Sequence, residues 1–285
     1  MSEMHLLKEH REWIGLIQPI GLVVSPSALA NAQLRIQKDV FNLQDTFRAI
    51  TDESGLLPLH LLSLFTRVLG WRNDDLISGE IVRSLDVFLP EREAYLKSDY
   101  AVKNADSGEI DILIKYIDRL QFDEEEIPEG RGWQASPHSK FERHLREKNI
   151  SIGILINQFG LRLIYSPKGE TSGYLTFPFS FMRETQGRPV LAALHLLLCE
   201  DRLFKGDPKQ RLQNLLIESR KFQNEVSTKL SEQVLAALYE LVRGLQEADE
   251  DTKGKLLEDV LKRDKNEVYH SLLTVLLRSD RKSVV

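Results

Sequence analysis

One cysteine, Cys199, is all the thiol chemistry that 285 residues carry, so no internal disulfide framework can hold the chain. Its surroundings, Leu196-Leu197-Leu198-Cys199, are apolar and fit packing better than nucleophilic reactivity. Long apolar runs are also missing: nothing approaches the ~20 residues of a membrane span, and Glu3, Lys8, Glu9, Arg11 and Glu12 interrupt any secretory signal. A soluble, cytoplasmic chain with no membrane partner is expected. No Gly-rich phosphate loop, no Gly-x-Ser-x-Gly elbow and no Cys or His-Glu-x-x-His zinc pattern occurs, which removes the commonest nucleotide, hydrolase and zinc chemistries. An excess of positive charge is missing as well. With 38 Lys and Arg against 43 Asp and Glu, the net charge of -5 gives no global pull toward nucleic acid, and any DNA contact must use a local basic face. What remains, 42% hydrophobic and 28% charged, is ordinary globular composition for one large domain with or without a helical extension.

Periodicity predicts a helix over residues 1–16, a short buried segment around Ile20 to Val24, and one helix from Ser27, its N-cap, to Ile50. A further helix, Leu57 to Leu69, stops at Gly70. Two β-rich runs, Ala94 to Val102 and Glu109 to Ile117, flank the turn sequence Asn104-Ala105-Asp106-Ser107-Gly108 and read as a hairpin. An acidic loop from Asp123 to Gly130 reads as a solvated connection. Ser136-Pro137 opens a charged helix, Ser139 to Lys148, with strands at Ile150 to Ile156 and Leu161 to Tyr165. From Pro189 the pattern is helical: Leu191 to Phe204, then a long helix from Gln210 to Glu247, then Lys255 to Lys262. In the long helix Phe222, Val226, Leu230, Val234, Leu238, Leu241 and Leu245 recur every three or four residues, the spacing of a single face, with Arg220 and Lys221 on a solvated one. The class is therefore α/β, a mixed sheet with flanking helices, followed by an all-α connector. The expected divisions are an N-terminal segment 1–50, an α/β module 51–188, a helical connector 189–279 and a tail 280–285.

The hairpin carries the one arrangement with catalytic character. Nucleases of the restriction-endonuclease-like fold place one acid near a strand start and an acid-x-Lys triplet on the next strand: two carboxylates hold Mg²⁺ and the lysine steadies the attacking water. Asp99 stands where the first acid would be, and strand alternation places Glu109, Asp111, Leu113 and Lys115 on one face. The triplet ending at Lys115 is Leu113-Ile114-Lys115, with leucine in place of the second metal ligand. The pattern is that of a degenerate site, with Asp99, Asp111 and Lys115 as candidate catalytic residues, and Asp99 and Asp111 as the Mg²⁺ ligands should it be active. Lys140, Arg143, Arg146 and Lys148 on the charged helix are the candidate DNA contacts, diluted by Glu142 and Glu147. His138 and His144, on the same helix, read as surface residues.

Several longer strings carry a resemblance. Trp133-Gln134-Ala135-Ser136-Pro137, Phe141-Glu142-Arg143, Gly153-Ile154-Leu155, Leu163-Ile164-Tyr165-Ser166-Pro167, Gly169-Glu170-Thr171-Ser172-Gly173 and Gly187-Arg188-Pro189, followed by Glu218-Ser219-Arg220-Lys221-Phe222-Gln223-Asn224-Glu225 and Ala237-Leu238-Tyr239-Glu240-Leu241, are similar to the N-terminal region of type IIG-like adenine-specific DNA methyltransferases, including those of DISARM phage-defence systems. The resemblance covers about Ile17 to Leu277. It implies a parent enzyme that binds S-adenosylmethionine in a further domain, acts on DNA and works with other defence-system subunits. Neither the Asn-Pro-Pro-Tyr tetrapeptide that holds a flipped adenine nor the Phe-x-Gly-x-Gly cofactor loop of that family occurs in this sequence.

The end of the sequence fits that expectation. The apolar run Val268 to Leu277 has no cap, and Asp280-Arg281-Lys282-Ser283-Val284-Val285 matches the translation of a common sequencing-adapter string, so residues 280–285 read as a non-native tail and the chain as a fragment. Leu272, Leu273, Leu276 and Leu277 would then form an uncovered apolar face. The sequence is expected to supply a DNA- or subunit-positioning module. A Mg²⁺-dependent endonuclease and a non-enzymatic interaction module are the alternatives.

Overall fold

The computed structural model describes residues 3–52, 61–118, 121–125, 133–258, 270–271 and 274. The chain divides into two compact units, Met1–Phe222 and Gln223–Val285. The first begins with helices α1 (Glu3–Ile17), α2 (Pro26–Asn31), α3 (Phe41–Ile50), α4 (Leu61–Ser63, continued by a π-helical turn to Val68) and α5 (Glu80–Arg83). A small hairpin follows, β1 (Val87–Leu89) with β2 (Ala94–Leu96). The main sheet takes its five strands in chain order: β3 (Tyr100–Lys103), β4 (Ile110–Tyr116), β5 (Ile152–Ile156), β6 (Gly160–Tyr165) and β7 (Gly173–Pro178). β4 and β5 are parallel and the other neighbours antiparallel. A parallel step requires a crossover, and α6 (Pro137–Lys148) supplies it. Helices α7 (Phe179–Arg183) and α8 (Arg188–Leu198) then lead to α9 (Leu212–Asp251). The architecture is mixed α/β, a sheet of mixed strand orientation flanked by helices, with a long C-terminal helix.

Both faces of the sheet are covered, which is why β5 and β6 are apolar and buried at nearly every position. On one face Val102, Ile112, Ile154, Leu163 and Phe177 pack with Trp13, Phe47, Leu191 and Leu216. Residues 1–50 and the start of α9 thus share one core with the middle of the chain. On the other face Ala101, Leu113, Leu155 and Ile164 pack with Phe141 and Leu145 of α6. Gly153 makes that second contact possible: a Cβ there would lie 2.6 Å from Leu145 Cδ1 and 2.7 Å from Phe141 Cε1. The helix rests on bare backbone.

Several elements differ from the sequence reading. The helix expected over Ser27 to Ile50 is two helices, and its cap is Ser25, whose Oγ accepts from Ala28 N–H at 3.1 Å. Gln33 takes a left-handed conformation (φ 55), and the non-helical backbone beyond it finds other partners: His10 Nε2 lies 3.0 Å from the Leu34 carbonyl, and Glu9 accepts from Ile36 N–H. Those side-chain partners offset the lost helical bonds. The run Ala94 to Val102 is broken at Lys97-Ser98-Asp99, where the chain leaves the small hairpin and enters the main sheet. Asp99 therefore sits at a corner, not inside a strand. Strand β7 and helix α7 were not read from sequence at all.

In α9 the apolar residues do not share one face. A four-residue step advances about 40° beyond a full turn, so from Phe222 through Val226, Leu230 and Val234 to Leu238 the stripe rotates about 160°. Val226 and Leu230 are exposed, and Leu238 is buried. Arg220, expected on a solvated face, is buried: its guanidinium pairs with Glu170 at 3.0 Å and donates to the Thr171 carbonyl at 2.7 Å. Residues 57–60, 126–130, 259–262 and most of 268–285, where further elements, the apolar face and the tail were expected, lie outside the described residues; Lys255–Leu257 are not helical.

Filling the Gly153 contact is the direct test of this packing. Gly153→Ala is expected to lower stability by about 1–3 kcal/mol, read as a lower urea midpoint at unchanged slope, because Leu145 and Phe141 must both shift to admit the methyl group.

Candidate functional site

A cleft of about 270 Å³ opens between β2, the end of β4 and α6, lined by Tyr95, Leu96, Lys97, Lys115, Ile117, Pro137, Lys140, Phe141 and His144. Each wall has a local cause. Ser136 caps α6 by accepting from Ser139 N–H at 3.2 Å, Pro137 occupies its first turn, and Asn149 ends it in a left-handed conformation. Phe141 and Leu145 seat the helix on the sheet, which leaves Lys140 and His144 at the cleft. The break at Lys97-Ser98-Asp99 supplies the facing wall.

Asp99 and Lys115 are brought together. Lys115 Nζ donates to Asp99 Oδ1 at 3.3 Å, and the other carboxylate oxygen accepts the Tyr116 N–H at 2.7 Å. Both side chains are partly exposed, so the ion pair itself contributes little to stability. Leu113 is fully buried beneath α6, among Phe141, Leu145 and Leu155. Asp111 is held elsewhere: its carboxylate accepts from Asn104 Nδ2 at 3.3 Å, and the same nitrogen lies 3.1 Å from Gln213 Oε1 on α9. The alternation that would align Asp111 with Lys115 fails because the β3–β4 register shifts between Val102 and Lys103. As a result Ile110 and Ile112 pack against different core clusters. Burial raises the Asp111 pKa above the ordinary carboxylate range, and the Asn104 hydrogen bond only partly opposes it. Among the described residues no group of three His, Cys, Asp or Glu side chains has the arrangement of a metal site.

The basic helix residues divide. Lys140 lines the cleft. Arg143 pairs with Glu147 at 2.7 Å, Arg146 with Glu142 at 2.6 Å, and Lys148 donates to the Ser84 carbonyl at 3.3 Å. His138 and His144, expected on the surface, are buried, because α6 turns that side toward the sheet and the β2 corner. His144 Nε2 is 2.7 Å from the Leu85 carbonyl and Nδ1 is 3.2 Å from Ser98 Oγ, an arrangement that suits a neutral ring with the proton on Nε2.

A clamp missed by the sequence reading holds Asp123, next to Phe122, whose carbonyl accepts the His138 N–H of α6 at 3.0 Å. Arg162 on β6 donates to both oxygens of Asp123 at 2.6 and 2.8 Å, with its guanidinium 3.9 Å from the Tyr174 ring centroid and 4.7 Å from that of Phe122. The arginine also draws the Asp123 pKa down. Asp123, placed in the solvated connection from sequence, is thus itself bound to the sheet. A lone Arg at an inward strand position, between Leu161 and Leu163, was the available signal. Tyr95 and Lys97 in the cleft wall were also missed, since the sequence reading put them in the middle of an ordinary strand. Among the described residues no helix is long and apolar enough to cross a membrane. No family model, curated protein or solved structure matches the chain.

Burial lowers the pKa of His10, His138, His144 and His195 below the 6.5 of an exposed histidine; near His138 the Arg162 charge lowers it further. The unfolded chain therefore binds protons that the folded one refuses, so stability is full above pH 6.5 and is lost as pH falls below it. A urea midpoint that drops between about pH 7.5 and about pH 5.5 is expected, with His144→Gln flattening part of the slope. A midpoint constant over that range would contradict the neutral, buried state of these rings.

Proposed function

We propose that this chain is the DNA-positioning module of an adenine-specific, type IIG-like methyltransferase of a restriction or phage-defence system, on a restriction-endonuclease-like fold whose cleavage site is degenerate. The observation that carries the reading is the cleft itself: Lys97, Lys115 and Lys140 line it, and no carboxylate is among its lining residues, Asp99 standing behind it in a pair with Lys115. Such a wall suits phosphates and not a divalent cation. The fold reading is supported by a mixed, helix-flanked sheet in which an acid precedes one strand and a lysine lies on the next. Leucine occupies the second ligand position and is buried, so it has no oxygen to offer and no room for one. The family reading rests on the sequence strings given above. Methyl transfer and its S-adenosylmethionine belong, in that reading, to a further domain, with other defence-system subunits as partners.

Supercoiled plasmid, with and without Mg²⁺, separates this function from the endonuclease alternative. The expected result is retention of plasmid on a native gel at low salt, weakened by added salt, with no nicking in either condition. Mg²⁺-dependent nicking that disappears in Asp99→Asn and Asp111→Ala would return the endonuclease reading, with Asp99 and Asp111 as its metal ligands. Absence of retention at any salt would leave the non-enzymatic protein-interaction reading.

A further inference from the structure

Beside the cleft stands a pair of aromatic side chains that remains largely open to water. In the β1–β2 hairpin the side chains alternate: Leu89 and Leu96 turn into the protein and are buried, whereas the cross-strand partners Phe88 and Tyr95 turn outward and are 48% and 65% exposed. Their ring centroids are 4.7 Å apart at an interplanar angle of 40°, forming one continuous aromatic surface. Lys97 Nζ lies 5.4 Å from the Tyr95 centroid, and both residues also line the cleft with Lys115 and Lys140. The pair steadies its short hairpin across the strands, yet leaves a large part of both rings open to water beside the cleft.

Exposed rings contiguous with a lysine-lined groove have the chemistry of a single-strand site: π faces stack bases, and ammonium groups track the phosphates between them. A duplex keeps its bases stacked inside and presents only phosphates and groove edges, for which an outward aromatic pair has no use. We propose that Phe88 and Tyr95 are a stacking platform for an unpaired nucleotide of a DNA strand whose phosphates enter the Lys97–Lys115–Lys140 cleft. The inference rests on the DNA-positioning reading and narrows it: the module holds a displaced or unpaired strand in preference to duplex.

Fluorescence anisotropy with a labelled oligothymidylate and with a labelled duplex, both in EDTA at low salt, tests it. Wild-type protein should bind the single strand more tightly than the duplex, and 2-aminopurine placed in the strand should be quenched on binding. Phe88→Ala, outside the lining of the cleft, should weaken single-strand binding by ~5-fold or more while changing duplex binding less than ~2-fold, adding Tyr95→Ala should weaken single-strand binding further, and Tyr95→Phe should retain wild-type affinity. Losing the cross-strand ring contact should lower the melting temperature only slightly, and the 2-aminopurine signal, which needs no variant, decides the matter if the variants do not fold. Equal binding of strand and duplex, with no quenching, overturns the platform and leaves the DNA-positioning reading standing. No binding of either overturns both.

Discussion

Everything around the cleft depends on how closely α6 approaches β5. The parallel β4–β5 pair demands a crossover helix, and Gly153 lets that helix lie directly on the strand, with Phe141 and Leu145 filling the space a side chain would take. That approach fixes the height of α6 above the sheet. It sets where Lys140 and His144 emerge, and it closes over Leu113 so that this position has no access to solvent. The Arg162–Asp123 clamp and the Ser136 cap hold the start of the same helix, so the wall of the cleft is built on rigid elements.

The electrostatics of the cleft follow from that scaffold. A site that holds Mg²⁺ needs carboxylates converging on one point, whereas here the bulge between Val102 and Lys103 leaves Asp111 with Asn104, and Lys115 occupies Asp99. The charged side chains that line the cleft are lysines. A net charge of -5 does not conflict with a local positive face, because at physiological ionic strength charges farther than about 8 Å are largely screened. The outward aromatic pair of the small hairpin extends the same surface.

Much of the fold was legible because it follows from local chemistry. The turn at Asn104 to Gly108, the cap and ends of α6, strands β5 and β6, the break at Gly206 to Pro208 and the long helix all carry turn residues or clear periodicity. The corner at Lys97-Ser98-Asp99 was read through because it carries no Gly or Pro; its three consecutive polar residues were the available signal, and the pairing of β2 with β1 fixes where the chain turns. The same limit explains the site. Lys115 and Asp99 were identified from spacing, but the separation of Asp111 depends on a register shift that alternation cannot reveal. His138 and His144 looked solvated because their helix is highly charged, yet burial is set by which side rests on Gly153. Phe88 and Tyr95 gained meaning only once the sheet placed Leu89 and Leu96 inside.

The central claim is that the lysine-lined cleft holds DNA through its phosphates without a metal. The most direct measurement is the dependence of DNA affinity on salt concentration in EDTA, for the wild type and for Lys97→Gln/Lys115→Gln/Lys140→Gln. The account predicts a steep negative slope of log K against log [salt] for the wild type, made shallower in the variant by roughly 0.7 to 0.9 for each lysine that meets a phosphate. A flat dependence, or the same slope in both proteins, would contradict it.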